Sequence, residues 1–197
     1  LHITGDLTLS LKIKSTINTE NTEAPYNWEE LLIFYADPIG EEENEENNIL
    51  YALCRYGGNN NLLYYHEYSS GLNSYEYPSS VSISDDVWKD ITITRNTDTK
   101  VVSLYENGLL VDNFSYFNNP TGGENSMLFI GGRDNGWNPY TGLMDDVQIW
   151  DKILSEQEIQ EYITCPPTGN EEGLVGYWNF EEGDGNVALD LSPNANN

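Results

Sequence analysis

Between Gly142 and Ile163 the hydrophobic period of the chain changes from two to nearly four, and few folds accommodate that change. Leu143, Asp145, Val147 and Ile149 share one parity, which puts three aliphatics and a carboxylate on the inner face of a strand. Ser155 and Glu158 then form a capping box, and Leu154 and Ile159 a hydrophobic staple, so a helix is expected over 155–163. Ile159, Tyr162 and Ile163 supply its apolar stripe, and Pro166-Pro167 stop it. The rest of the chain reads as strand. Leu7, Leu9, Leu11 and Ile13 alternate with Thr8, Ser10, Lys12 and Lys14, and residues 31–36, 49–54 and 62–68 are apolar or aromatic runs between turn-rich segments. Asn107-Gly108 joins residues 101–106 to 109–114 as a type I′ hairpin. The expected fold is all-β: an antiparallel β-sandwich (jelly roll) with one short helix near 155–163. Trp88, Phe129 and Trp150 are expected in its core.

The closing strand and helix resemble those of laminin G-like (concanavalin A-like) sandwich domains. Four further segments follow that family's order: Asp6–Lys14, Val87–Thr94, Leu104-Tyr105-Glu106-Asn107-Gly108 and Phe129-Ile130-Gly131-Gly132. One departure stands out. The family's opening strand is missing before Leu1 and is found at the far end, as 176–183 and 190–196. The resemblance implies a fold that hosts lectins, glucanases, adhesins and spacer modules, so it names no ligand. It also implies a structural Ca²⁺ between the closing strand and the opening segment, with Asp145, Asp190 and Asn194 as ligands alongside backbone carbonyls. The competing reading gives Asp145 backbone and hydroxyl donors instead, since a buried carboxylate needs one partner or the other.

The chain is strongly acidic, with 33 Asp and Glu against 8 Lys and Arg and a formal net charge of −25. So few cations argue against nucleic acid, whose phosphates must be neutralised, and against anionic membrane surfaces. No apolar stretch is long enough to span a bilayer, so no membrane insertion is expected. An enzyme is not expected either. His2 and His66 are the only histidines, no Gly-rich phosphate loop precedes a helix, and no strand carries the alternating carboxylates that glucanases of this sandwich use. His66 reads as a polar strand-face residue, and the acidic run 37–48 as a solvated loop.

Three stretches bear on binding and assembly. Residues 133–141 interleave Asp134, Asn135 and Asn138 with Trp137 and Tyr140, rings and hydrogen-bonding groups of the kind that hold a sugar; capping of a sheet edge by Trp137 is the alternative. The segment from Tyr64 to Tyr77 is a second Tyr-rich surface, with strand-face packing as its alternative. Cys54 and Cys165 form either a disulfide or two separate thiols. Domain boundaries fall at 1–164 (sandwich), 165–173 (a Pro- and Gly-rich acidic linker) and 174–197 (the opening-strand motif). That last segment completes this domain, starts a following copy or inserts into a neighbouring subunit. It extends through Asn194, more than a plug requires, which favours tandem or intermolecular use. The function expected is a non-catalytic adhesion or surface-structure module of a secreted or cell-surface protein, with glycans or surface proteins as partners and self-association through 174–197; the alternative is a carbohydrate-binding module using the 133–141 loop.

Overall fold

A computed structural model describes residues 1–15, 28–36, 49–56, 61–68, 73–83, 86–121, 126–132 and 139–196. Among them are, in chain order, β1 (Leu7–Ser15), β2 (Trp28–Ala36), β3 (Ile49–Tyr56), β4 (Asn61–Tyr68), β5 (Asn73–Ser82), β6 (Lys89–Asn96), β7 (Val101–Glu106), β8 (Leu109–Ser115), β9 (Met127–Ile130), β10 (Gly142–Trp150), α1 (Glu156–Thr164) and β11 (Leu174–Trp178). Two antiparallel sheets and one short helix are the make-up of the all-β class that the alternation implies. The acidic run 37–48 lies outside the described residues.

One compact unit takes residues 1–4, 15–87 and 116–142, and its sheet runs β5-β4-β3-β2-β9. Leu53 pairs with Tyr64 and Ala52 with Tyr65, so the two parities of β3 and β4 face opposite sides. Ala52, Cys54, Leu63 and Tyr65 make a buried cluster on one side, with Phe129 packed half-buried against it.

The other unit takes residues 5–14, 88–115 and 143–197, and its sheet runs β11-β10-β1-β6-β7-β8. Leu9 pairs with Ile93, and Ile93 with Leu104, so one buried aliphatic row crosses three strands. The opposite face is polar in the middle, where the hydroxyls of Ser10 and Thr92 meet at 2.9 Å. Under the helix it turns apolar again: Trp150, Leu154, Ile159, Leu174 and Tyr177 form a second cluster, with Tyr162 stacked on Trp150 at 4.9 Å. The capping box is formed as the sequence implies, with Ser155 accepting from the Glu158 N–H and Glu158 from the Ser155 N–H. Burial of Leu154 and Ile159 completes the staple. Thr8 holds the approach to the helix, its buried hydroxyl donating to Lys152 O at 2.7 Å and accepting from Leu154 N at 3.0 Å. At the β7–β8 turn Asn107 and Gly108 both have positive φ, 51° and 78°, as a type I′ turn requires. Gly108 has a second reason to lack a Cβ, because one would stand 2.9 Å from Gln160 Cγ on α1.

Several expectations change. Residues 165–173 form a loop held by hydrogen bonds. Glu171 accepts from Thr168 N and Oγ1 and from Gly169 N, and Gly173 O accepts from Asp151 N. The segment after it pairs in cis: Val147 lies opposite Trp178, Gln148 opposite Tyr177 and Ile149 opposite Gly176. The outer edge of β11 is then closed by its own chain, since Tyr177 O accepts from Leu191 N at 2.7 Å and Val175 O from the Asn194 amide at 2.9 Å. Phe180 falls past the strand at φ 52°, with 37% of its surface exposed. Trp88, expected in the core, precedes β6 and is 46% exposed. Cys54 and Cys165 are both free. Cys54 is buried in β3 with its thiol on Leu63 O, and burial pushes that thiol up; Cys165 is exposed at the C-cap of α1.

Candidate functional site

In the first unit, period-two placement of aromatics builds a continuous face. Tyr64, His66 and Tyr68 alternate along β4, and register sets Tyr77 opposite Tyr64 and Tyr75 opposite His66. The rings lie nearly parallel. Tyr64 and Tyr77 are 6.3 Å apart at 21°, Tyr77 and Tyr75 5.9 Å at 15°, and Tyr75 and Tyr68 4.8 Å at 23°. His66 stands edge-on inside this row, 5.3 Å from Tyr75 and 5.0 Å from Tyr116. It is fully buried, so it is an aromatic core residue and not the polar strand-face residue that its type suggested.

Burial falls off along the row. Tyr64, Tyr77 and Tyr116 are buried, whereas Tyr75 and Tyr68 are half-exposed at the end of the hairpin. Asn118 is exposed there, its amide 3.5 Å from the Tyr75 hydroxyl and its backbone carbonyl 3.3 Å from His66 Nε2. Phe117 beside it is 84% exposed. Desolvation, reinforced by the neighbouring tyrosines, pushes the Tyr77 phenol upward in the buried part of the row. The arrangement therefore offers two stacked phenol rings, a free aromatic face and an amide that both donates and accepts. On the reverse face Glu67 is saturated: Tyr65 Oη donates to Oε1 at 2.7 Å and Ile49 N to Oε2 at 2.8 Å.

Of the proposed sugar loop, Asp134, Asn135, Trp137 and Asn138 lie outside the described residues. Tyr140 is half-exposed, and its N–H donates to Gly131 O at 2.9 Å.

Around the three expected calcium ligands the picture differs from the parity argument. Asp146 has φ 47° and interrupts the alternation of β10, leaving Leu143 55% exposed while Val147 and Ile149 are buried. Asp146 carries the partnerships: Lys12 Nζ lies 2.7 Å from Oδ2 and Tyr177 Oη donates to Oδ1 at 3.0 Å. The Asp146 hydrogen bond holds the Lys12 ammonium above its ordinary value against partial burial. Asp145 is half-buried and accepts from Asp146 N at 2.9 Å. Asp190 is 5% exposed and accepts five hydrogen bonds: Tyr177 N and Ser192 N on Oδ1, and Ser192 Oγ, Asn196 N and Asn196 Nδ2 on Oδ2, all at 2.8–2.9 Å. Burial pushes its carboxyl up, but the donors of Asn196, Tyr177 and Ser192 outweigh it and hold the group below the usual range. Asn194 gives its amide to Val175 O and its N–H to Ser192 Oγ. Donors converge on Asp190 where a cation would need oxygens, and among the described residues no three His, Cys, Asp or Glu side chains are grouped to hold a metal. Both oxygens of Asp190 are thereby occupied by N–H and O–H donors.

The tyrosine row was visible in sequence as alternation, but its exposed end depends on Phe117 and Asn118, some fifty residues away, which no local pattern announces. Among the described residues no helix is long and apolar enough to cross a membrane.

The fold has many solved counterparts. A candidate carbohydrate binding protein from Bacteroides ovatus ATCC 8483 superposes with a TM-score of 0.66 at 16% identity, over 95% of this chain and 49% of that one, so this chain spans about half its length. The Ruminococcus gnavus IT-sialidase CBM40 gives 0.58 at 12% identity, over 81% and 83%. Domain 4 of AbnA, a GH43 extracellular arabinanase from Geobacillus stearothermophilus, in complex with arabinotriose, gives 0.53 at 18%, over 80% and 66%. Likeness at these identities concerns the fold. No curated protein matches the chain in sequence. The Laminin_G_3 family model, described as concanavalin A-like lectin/glucanases superfamily, matches residues 3–160, ending before β11. By that match over most of its length, with its two antiparallel sheets, the chain belongs to the concanavalin A-like lectin/glucanase superfamily of jelly-roll domains.

Proposed function

We propose that this chain is a non-catalytic carbohydrate-binding module of a secreted or cell-surface protein, and that the exposed end of the tyrosine row holds the sugar. The observation that carries this reading is the group formed by Tyr68, Tyr75, Asn118 and Phe117. The apolar C–H face of a pyranose packs on a phenol ring, and its hydroxyls exchange hydrogen bonds with the Asn118 amide and the Tyr75 hydroxyl. A CBM40 and an arabinanase domain in complex with arabinotriose, both among the fold's counterparts, add weight to the reading. An open platform of this size suits affinities of about 1 mM to 1 μM, enough for a module that holds an attached protein on a glycan surface. Adhesion through surface glycans is the role this affinity fits. Strand exchange through 174–197 is not part of the proposal, because the β11 edge is closed by residues 190–194.

The test is a glycan array with the intact chain and a Tyr68→Ala, Tyr75→Ala double variant whose melting curve is checked in parallel. Binding that disappears in the double variant while the fold persists is the expected result. Binding that survives it, but is lost in Trp137→Ala, Tyr140→Ala, moves the site to the 133–141 loop and refutes the platform.

A further inference from the structure

We infer that the loop 180–189 forms a second glycan-binding site, in the unit that does not hold the tyrosine row; the sugar class of its ligand rests on the reading above. A hollow of about 420 Å³ opens there, lined by Phe180 and by residues 182–188. Sites for small ligands begin at roughly 300 Å³, so a sugar of one or two rings has room. The lining divides by chemistry. Phe180 and Val187, 37% and 57% exposed, and Ala188 give it apolar surface, while Glu182, Asp184 and Asn186 bring polar groups at every second position. Gly183 and Gly185 stand between those three, at φ 76° and 108°, and a Cβ on either would meet nothing within 4 Å, so the space beside the polar groups is open.

The loop is closed without a ligand, since Glu182 Oε1 accepts from Leu189 N at 2.7 Å. The N–H groups of Leu189 and of Glu182 itself hold this carboxyl below its ordinary range, so at neutral pH it only accepts. A carboxylate has about four acceptor positions, which leaves room for a ligand's hydroxyls. Among the described residues the side chains of Asp184 and Asn186 have no hydrogen-bond partner, and both residues are exposed. Vicinal hydroxyls of a pyranose donate to a carboxylate as charge-assisted bonds, the Asn186 amide donates and accepts, and the C–H face of the ring packs on Phe180. A divalent cation is the competing occupant, but it takes about six to eight oxygens, and only two carboxylates and one amide line the hollow.

Residue-resolved titration keeps the two sites apart. The intact, isotopically labelled chain is titrated with lactose, cellobiose, xylobiose and mannobiose, and separately with CaCl₂, while its amide signals are followed by NMR. One of the disaccharides should shift the amides of Gly183, Gly185 and Asn186 with a Kd of about 1 mM, the weak end expected of so open a hollow. Asp184→Ala, Asn186→Ala removes only groups that the chain itself leaves unused, so the melting curve should hold while that response weakens about tenfold. Shifts confined to Tyr68, Tyr75 and Asn118 overturn the hollow and leave the platform standing; shifts confined to 180–189 keep the hollow and refute the platform. No shift with any of the four sugars at either place overturns the hollow, and the glycan array then decides the platform separately. A response at 180–189 to CaCl₂ and to no sugar, or one to sugar that survives the double variant, overturns the inference as well.

Discussion

Replacing Asp190 tests how the C-terminal segment is held. Five donors meet its two oxygens, and two of them, Tyr177 N and Ser192 N, are buried backbone groups. A hydrogen bond to an ionised acceptor contributes roughly 1.5–3 kcal/mol, but bonds sharing one acceptor do not add, and the exposed Asn196 turns to water when released. Asp190→Ala should therefore cost about 3–4 kcal/mol, mostly through the two stranded N–H groups. For a chain of this size that lowers Tm by roughly 6–16 °C. Asp190→Asn keeps one acceptor but turns an NH₂ toward the donors of Asn196 and Ser192, and should cost about 2 kcal/mol. The pH response follows from the same contacts. The Asp190 carboxyl titrates lower in the folded chain than in the unfolded one, so the unfolded chain takes up its proton first as pH falls. Its stabilisation is complete above the ordinary carboxylate value of about 4 and is lost as pH drops through the folded value. Thermal melts of the parent and both variants, each with and without EDTA, provide the assay. The parent should melt at the same temperature with chelator. A parent curve lowered by EDTA as far as by Asp190→Ala, with the variant indifferent to EDTA, would mean that a cation and not the five donors satisfies this carboxylate.

Other consequences are simpler to read. In the native chain a thiol reagent should modify Cys165 quickly and Cys54 only on unfolding, with no disulfide-linked peptide found by mass spectrometry; one slow pair or a linked peptide contradicts the free thiols. Gly108→Ala should cost about 1–3 kcal/mol by denaturant melting, because a Cβ there meets both a positive φ and Gln160, and Gln160→Ala should relieve part of it. Deletion of residues 171–197 removes β11 and uncovers Trp150, so the shortened chain should lose cooperative unfolding; a truncated chain that melts as sharply as its parent refutes the cis role of that strand.

Much of the fold was legible because it is written in short-range periods. Alternation along β1 and the Asn107-Gly108 turn are local signals, and so is the capping box at Ser155; each appears where residue chemistry puts it. Errors came where a single backbone angle or a distant partner decides. Positive φ at Asp146 shifts the parity of β10, which strict alternation across the Asp145-Asp146 pair does not foresee. Trp88 looks like core by type, yet it lies one residue before the β6 strand begins. The C-terminal segment leaves its pairing open in sequence because its partners, β10 on one edge and residues 190–194 on the other, are fixed by tertiary contacts. For the site, the tyrosines announce an aromatic face, but only the return of the chain at 116–118 shows which end of it meets water.

The position of β1 in the second sheet has a consequence for how the protein is made. Its neighbours are β6, some eighty residues later, and β10, later still. During synthesis this first strand must wait, unpaired on both sides, until most of the chain has emerged. Contacts of such long sequence separation place the domain among slow folders. Throughout that delay Leu7, Leu9, Leu11 and Ile13 present a sticky ribbon, whose other face carries charge at Lys12 and Lys14 beside Thr8 and Ser10. Those two lysines are a quarter of all the Lys and Arg in the chain, and in the nascent state they act as gatekeepers before Lys12 finds Asp146. Expression conditions that slow elongation or lack chaperones should therefore drive this chain into inclusion bodies through the unpaired β1.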